Sequence, residues 1–451
     1  MIRLPGILVK KIVLPVMAGV MITAGCGKSV TDNPSEVTPE AVKKEAVPSP
    51  VELNVFVSTA EADPQAFFME WYGKYIQKKY PNLSFRVYKS DKGTTLPELI
   101  AAGVNIDLMH GLADLGVMMK EFGLLTDISS LLQTHGFDLN RIEPTALSAL
   151  KNVNDGKLPG LPIELNSYAF YYNKDLFDKF GVVYPKDNLT WDDVIELNKK
   201  LTRFEGGQQY YGFGTTGSLL FMDNQLSLPL DDPKTYKAAF NTDAWNKYLQ
   251  KFIPLLQVPG YEKGFNATTN AYSMLFAGVL NLIKDKNVAM WAGLSQDYPR
   301  SAWGGTTNWA VTKFPTMPEK PGVGPQPRTT NMFVTSTSRH KDEAFLAISA
   351  FLSDEVQTSV VAERAIGTPL KNSKVREVFG RDNPDLAGRN AKFLQPDQYA
   401  EPIVQTPNTI NAKNEINRAF VLAAAGVKDL NTALREAEEN VNKRAETLKN
   451  Q

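Results

Sequence analysis

Three histidines and a single cysteine are the metal ligands and strong nucleophiles available to this 451-residue chain. His110, His135 and His340 are scattered, without a His-Glu-x-x-His helix or a cysteine cluster, so a zinc site has no framework. Cys26 stands alone, which excludes an internal disulfide. The run Gly212-Phe213-Gly214-Thr215-Thr216-Gly217 fits the G-x-G-x-x-G of dinucleotide sites, and Asp231 and Asp232 follow near the spacing a ribose contact wants. Pro229 and Pro233 break the unit that should come next, and no Walker A or G-x-S-x-G sequence is present. A glycosidase needs two carboxylates about 5–10 Å apart. Glu61, Asp107 and Glu164 could be imagined in that role, but nothing in their spacing requires it. Neither a metal nor a cofactor is expected.

Cys26 takes its meaning from what precedes it. Residues 1–11 carry only positive charge, residues 12–22 are an unbroken apolar run, and Thr23, Ala24 and Gly25 are small. A basic segment, an apolar segment of about 7–15 residues and a small-residue site make an export signal. The run is well short of the roughly 20 residues of a membrane-spanning helix. Ala-Gly-Cys resembles the lipobox of bacterial lipoproteins, although Thr23 stands where that motif usually has a large aliphatic. The resemblance implies a signal peptide over residues 1–25 and a fatty-acylated Cys26. Residues 27–50, with four prolines and no aromatic, are expected to be a flexible tether.

The body that follows is globular in composition, with 43% hydrophobic and 10% aromatic residues. Its size favours two domains. Without Arg3, Lys10 and Lys11 the 49 basic residues fall to 46 against 49 acids, and no basic run remains, which argues against a nucleic-acid partner. Residues 51–57 alternate as a strand, and Asp63-Pro64 opens a helix in which Phe67, Phe68, Trp71, Tyr75 and Ile76 fall at helical spacing. Residues 83–88 read as a strand, 96–102 as a helix and 104–109 as a strand, a succession that predicts a parallel α/β sheet. Ligands sit beyond the carboxyl ends of such strands, which singles out Glu61 after the first and His110 after the third. Residues 167–173 form another strand, its helix is closed by Gly181, and Thr190 caps the next helix with Asp193 three residues on. A helical tail is expected from about residue 415 to 449.

From Gly160 the stretch GLPIELNSYAFYYNKDLFDKFGVVYPKDNLTWDDVIELNKKLT resembles the family 1 extracellular solute-binding proteins of ABC transporters. Leu161-Pro162, Tyr172-Asn173-Lys174, Pro185 and Thr190-Trp191 carry the likeness. Residues 287–293 (NVAMWAG), 309–315 (WAVTKFP), 339–357 and Gly367-Thr368-Pro369 extend it in the same order.

That resemblance implies an α/β protein of two lobes, a periplasmic-binding-protein-like fold of the type II kind with a central cleft and hinge. The first lobe would take residues 51–162 and 316–362, the second 166–312 and 366–451. It also makes the Gly212 to Gly217 run a loop leading to the cleft. Sugar recognition combines aromatic faces with hydrogen-bonding side chains. The expected ligand-binding residues are Glu61 and His110 in the first lobe, and Asn166, Tyr168, Trp291 and Trp303 in the second. Read from the residues alone, Trp291 divides evenly between core and cleft, and His110 fits a structural histidine as well. Trp191 and Trp245 are expected in the core, with Tyr171 and Tyr172 anchoring the sheet. The implied function is non-catalytic capture of a small solute, most simply a sugar or oligosaccharide, outside the cytoplasm. A lipid on Cys26 would tether the protein to the membrane, and its partners would be the permease subunits and ATPase of an importer. An exported carbohydrate-active enzyme and a solute-binding sensor subunit are the alternatives.

Overall fold

The computed structural model describes residues 49–59, 61–266, 271–272, 286–298 and 308–449. The export signal, Cys26, most of the tether and Trp303 lie outside the described residues. Ten strands form two five-stranded sheets. They are β1 (Val51–Val57), β2 (Leu83–Tyr88), β3 (Leu108–Leu112), β4 (Gly160–Asn166) and β5 (Tyr168–Asn173). β6 (Arg203–Glu205), β7 (Gln208–Thr215), β8 (Val288–Leu294), β9 (Trp309–Thr312) and β10 (Arg328–Val334) complete the set. The first sheet runs β2-β1-β3-β10-β4 and the second β9-β5-β8-β7-β6.

β1 pairs in parallel with β2 and β3, as strand–helix alternation demands. The sheet is nevertheless mixed, because β10 returns from the second lobe and enters antiparallel between β3 and β4. The second sheet is mixed as well, with β8 antiparallel to β5 and parallel to β7. Leu53, Val55 and Val57 point from β1 into the first core, which Leu108, Met332, Phe345 and Phe351 complete. The second lobe has a core on each face of its sheet. Trp191, Phe213, Trp245 and Phe252 fill one, while Tyr171, Trp291, Tyr298 and Trp309 fill the other.

Local signals act as expected at several ends. Asp63 caps the helix that begins at Pro64, accepting from Ala66 N, and a π-helical turn at Met69–Gly73 continues it. Thr190 and Asp193 form a reciprocal capping box, and Gly181 closes the preceding helix at φ 64°. The third strand is displaced from residues 104–109 to Leu108–Leu112. Asp107 stands just before the shifted start: its carboxylate accepts from Asn54 N at 2.9 Å, Ser338 Oγ at 2.7 Å and Asn105 Nδ2 at 3.2 Å. The Asn54 N–H is thereby taken by a side chain, while Asp107 N still donates to the Asn54 carbonyl at 2.9 Å. The helical tail is two helices, Thr409–Ala424 and Leu430–Lys449, separated at Gly426 with φ 68°.

The lobes are joined through Ser167, between β4 and β5, and through the segment between β9 and β10. A third connection weaves: Ala365 packs on the second lobe's outer core, Leu370 and Val375 in the first core, and Phe379 against both. Gly367 accepts there from Leu165 N at 2.8 Å. A Cβ at Gly367 would stand 1.8 Å from the Leu165 carbonyl oxygen, so this approach requires glycine.

Candidate functional site

A cavity of ≈ 290 Å³ lies where the two lobes meet. From the first lobe it is lined by Ser58, Phe67, Trp71, Tyr72, His110, Gly111, Leu112, Glu164 and Thr330. Gln296 and Asp297, on the turn after β8, line it from the second lobe, and Ile366 belongs to the weaving connection. Parallel pairing explains why the strand ends converge here: Ser58 N, just past β1, donates to the His110 carbonyl at 2.9 Å.

The wall of the first lobe is an aromatic cluster with polar atoms set into it. The Tyr72 ring lies 4.6 Å from the His110 ring, and Phe67 is 6.0 Å from both His110 and Trp71. Tyr72 Oη donates to Glu164 Oε1 at 2.8 Å. Burial raises the Glu164 carboxyl above its ordinary value, against bonds from Thr330, Tyr72 and Asn166 that favour its charge. Burial and then the Glu164 charge hold the Tyr72 phenol well above its usual range. Burial pushes His110 down to about 4 against a bond to its own backbone that favours its charge, and neither ring nitrogen meets a partner on another described residue. Arg364 stacks on Trp71, 4.1 Å from the ring centroid, and bonds the Glu70 carboxylate and carbonyl at 2.8 Å. The wall is thereby tied to the connection between lobes.

Next to this cavity, sharing Leu112, is a smaller one of ≈ 40 Å³. Its charged lining includes Asp223 and Arg328, paired at 2.9 Å, and Tyr168 Oη donates to the same Asp223 oxygen at 2.6 Å. Asp223 holds the Arg328 guanidinium above its usual range, while burial raises the Tyr168 phenol.

The residues expected from sequence fall in different places. His110 is in the wall of the large cavity, 3% exposed. Asn166 is buried at the end of β4, its Oδ1 without a partner. Tyr168 is buried in the Asp223–Arg328 cluster. Glu61 is exposed beyond β1, its carbonyl accepting from Lys89 Nζ, and does not line the cavity. Trp291 is folded over Gly293 in the outer core of the second lobe, 3% exposed. Trp303, the sixth, lies outside the described residues.

The glycine run does not line the large cavity either. A Cβ on Gly212 would meet Asn198 Cα at 2.6 Å, so that glycine lets the helix Trp191–Leu201 lie close on β7. Of the carboxylates weighed for acid–base work, Asp107 is spent on structure, and Glu164 reaches the cavity.

Helical spacing alone places Phe67 and Trp71 on the first helix, and their burial separates them from its core stripe. Phe68, Tyr72 and Ile76 already supply a core stripe at i, i+4 and i+8, each 2% exposed or less. Phe67, Trp71 and Tyr75 form a second stripe beside it, only partly buried. Rings beyond what a core needs are rings free to face a ligand.

Comparison with known proteins agrees with this geometry. The sequence model of the bacterial extracellular solute-binding proteins matches residues 59–358. An sn-glycerol-3-phosphate-binding periplasmic protein of Agrobacterium fabrum is 32% identical over 102 residues, 22% of this chain and 23% of its own length. The chain thus spans under a quarter of that relative. Its Rhizobium meliloti counterpart is 23% identical over 354 residues, covering 72% of this chain and 77% of the relative. In fold, a sugar transporter from Rhizobium etli in an open conformation superposes with a TM-score of 0.68 at 21% identity, over 87% of this chain and 99% of that one. A mannitol-bound solute-binding protein of Agrobacterium vitis gives 0.59 at 18% identity, over 88% and 99%. At such identities these structures establish the two-lobe fold alone.

Proposed function

This chain belongs to the bacterial extracellular solute-binding protein family, and we infer from that premise that it captures a sugar or oligosaccharide between its lobes for an ABC importer. The observation that carries the reading is the ≈ 290 Å³ interlobe cavity, where Phe67, Trp71 and Tyr72 stand beside His110 and Glu164. Aromatic faces cover the C–H faces of a pyranose while carboxylate, imidazole and hydroxyl groups bond its rim. Proteins of similar fold with mannotriose or mannitol bound support this class. A ligand touching both the first-lobe wall and the Gln296-Asp297 turn favours the closed form, which the permease then recognises. We place His110 in the wall of the site, with Asn166 and Tyr168 as candidates that a closed state would bring to it. Glu61, Trp291 and Trp303 stay as candidates for a closed state.

The family acts outside the cytoplasm. The Ala-Gly-Cys sequence after a basic and apolar segment supports a finer reading, in which Cys26 is acylated and residues 27–50 tether the lobes to the membrane. The lobes are proposed to divide near residues 162–166 and 312–316, and the third crossing begins near 362–366 but returns Leu370 and Val375 to the first core. Capture here is non-catalytic, so the ligand is returned intact.

Thermal unfolding of the full chain in mild detergent, against a panel of sugars and other small solutes, tests the reading. A ligand at 100 times its Kd stabilises by about 2.7 kcal/mol, or a few degrees. A shift with the ligand recovered intact supports capture. A shift with cleavage makes the protein an enzyme, and no shift across the panel removes the sugar assignment.

A further inference from the structure

We propose that Arg364 is a positioning residue of the site: its guanidinium holds the Trp71 indole in the plane on which a sugar ring stacks. This deepens the capture reading above and rests on it. Trp71 stands in the π-helical turn Met69–Gly73, where the regular α-helical ladder is interrupted, and its ring is only partly buried. A ring so placed keeps rotamer freedom that a ligand would have to freeze on binding. Arg364 removes that freedom in advance. Its guanidinium lies 4.1 Å from the indole centroid, and Nη2 donates at 2.8 Å to both the carbonyl and the carboxylate of Glu70, the residue before Trp71. Trp71 lines the cavity and Arg364 does not, so the guanidinium covers a part of the ring that the cavity does not reach.

Exposure decides which of these contacts counts. The Glu70 side chain is 62% exposed and shares its charge with Lys74 at 2.8 Å, so the ion pair itself adds little. Arg364 is only 13% exposed, a setting in which a stack on indole and a bond to a carbonyl are worth more. The anchor behind it is fixed as well. Arg364 ends the helix Asp354–Arg364, Ala365 after it turns left-handed at φ 53° into the outer core of the second lobe, and Ile366 lines the cavity. Burial disfavours the charge of Glu164 in the same wall, and the Arg364 charge acts against it. That is a second route by which this arginine could reach the ligand, and it does not pass through Trp71.

Calorimetric titration of the full chain in mild detergent separates the two routes, with glucose, maltose, mannotriose and mannitol as probes and the tightest of them carried through the variants. Arg364→Met keeps the length of the side chain and loses its plane and charge. It should weaken that probe about 5-fold, the share of the Trp71 stack that depends on a fixed ring. In a Trp71→Ala background the same change should cost under about 1.5-fold, because no indole is left to hold. Arg364→Lys, which keeps a cation over the ring, should stay within about 2-fold of the parent. Should Arg364→Met fail to fold, Arg364→Gln runs the same cycle. An Arg364→Met protein that binds like the parent overturns the inference, as does a loss undiminished in the Trp71→Ala background, and both leave solute capture standing. A parent chain silent to every probe removes the sugar reading itself, and this inference with it.

Discussion

The two lobes follow one plan, a mixed five-stranded sheet covered by helices, but they use their aromatic residues differently. Among the described residues the buried tryptophans, Trp191, Trp245, Trp291 and Trp309, all belong to the second lobe, whereas the first-lobe core is filled by smaller rings such as Phe68, Phe333, Phe345 and Phe351. The first lobe leaves Phe67 and Trp71 partly uncovered and sets them, with His110 and Glu164, against the cavity. Among the described residues the second lobe contributes Gln296 and Asp297 to that cavity and no ring. An aromatic residue therefore announces a ligand only where the adjacent core is already filled without it.

Substitutions that exchange these roles would break the comparison. The largest effect is expected at Trp191, whose ring meets Phe252 at 4.9 Å and whose Nε1 donates to Gln225 at 2.7 Å. Trp191→Ala should cost about 3–5 kcal/mol in a denaturant titration. A variant that keeps its stability and loses only affinity would place Trp191 in the site.

Next comes Asp231, buried beneath the C-terminal helices and accepting from the hydroxyls of Thr406 and Thr409. Burial pushes its pKa up to about 6. Because the folded value lies above the unfolded one, the folded state holds the proton more tightly. The contribution is therefore full below about pH 4 and is lost as pH rises through 6, a change of about 2–3 kcal/mol. Asp231→Asn should remove it, so the difference in melting temperature between variant and parent should grow in the variant's favour from pH 4 to pH 7. A difference that stays constant would contradict a buried, late-ionising carboxyl.

At Gly367 an alanine Cβ would collide with the Leu165 carbonyl, a backbone atom with little freedom to yield. Gly367→Ala should cost about 1–3 kcal/mol and alter ligand affinity too, since the contact joins the connecting segment to β4. The smallest effect on stability is expected at Trp71. Trp71→Ala should weaken sugar binding about 10-fold, with a loss of stability under about 1 kcal/mol. The opposite ranking of Trp71 and Trp191 in the two assays would reverse the comparison between lobes.

What the sequence made legible was local. The alternation of β1, the Asp63 cap, the Thr190–Asp193 box and Gly181 each depend on a few neighbouring residues, and each forms as read. What it concealed depends on distant partners. β10 enters the first sheet from more than two hundred residues beyond β3, so nothing near residue 112 signals an antiparallel neighbour. Asp107 bonds Ser338 from far along the chain at the start of β3, and Gly212 serves the close approach of Asn198 rather than a loop at the cleft. In the site, His110 was singled out as lying beyond a strand that ends at residue 109; it lies within β3 instead and lines the cavity from there. Trp71 was not singled out, because helical spacing alone cannot tell a core stripe from a second stripe beside it.

The central claim is that the first-lobe wall holds the ligand. A crystal structure of the full chain with its tightest sugar tests it most directly. A sugar ring is expected to stack on Trp71 or Phe67, with hydroxyl groups in hydrogen-bond reach of the polar side chains of that wall and the Gln296-Asp297 turn closed over it. A sugar lodged elsewhere, with the wall bare, would contradict the claim.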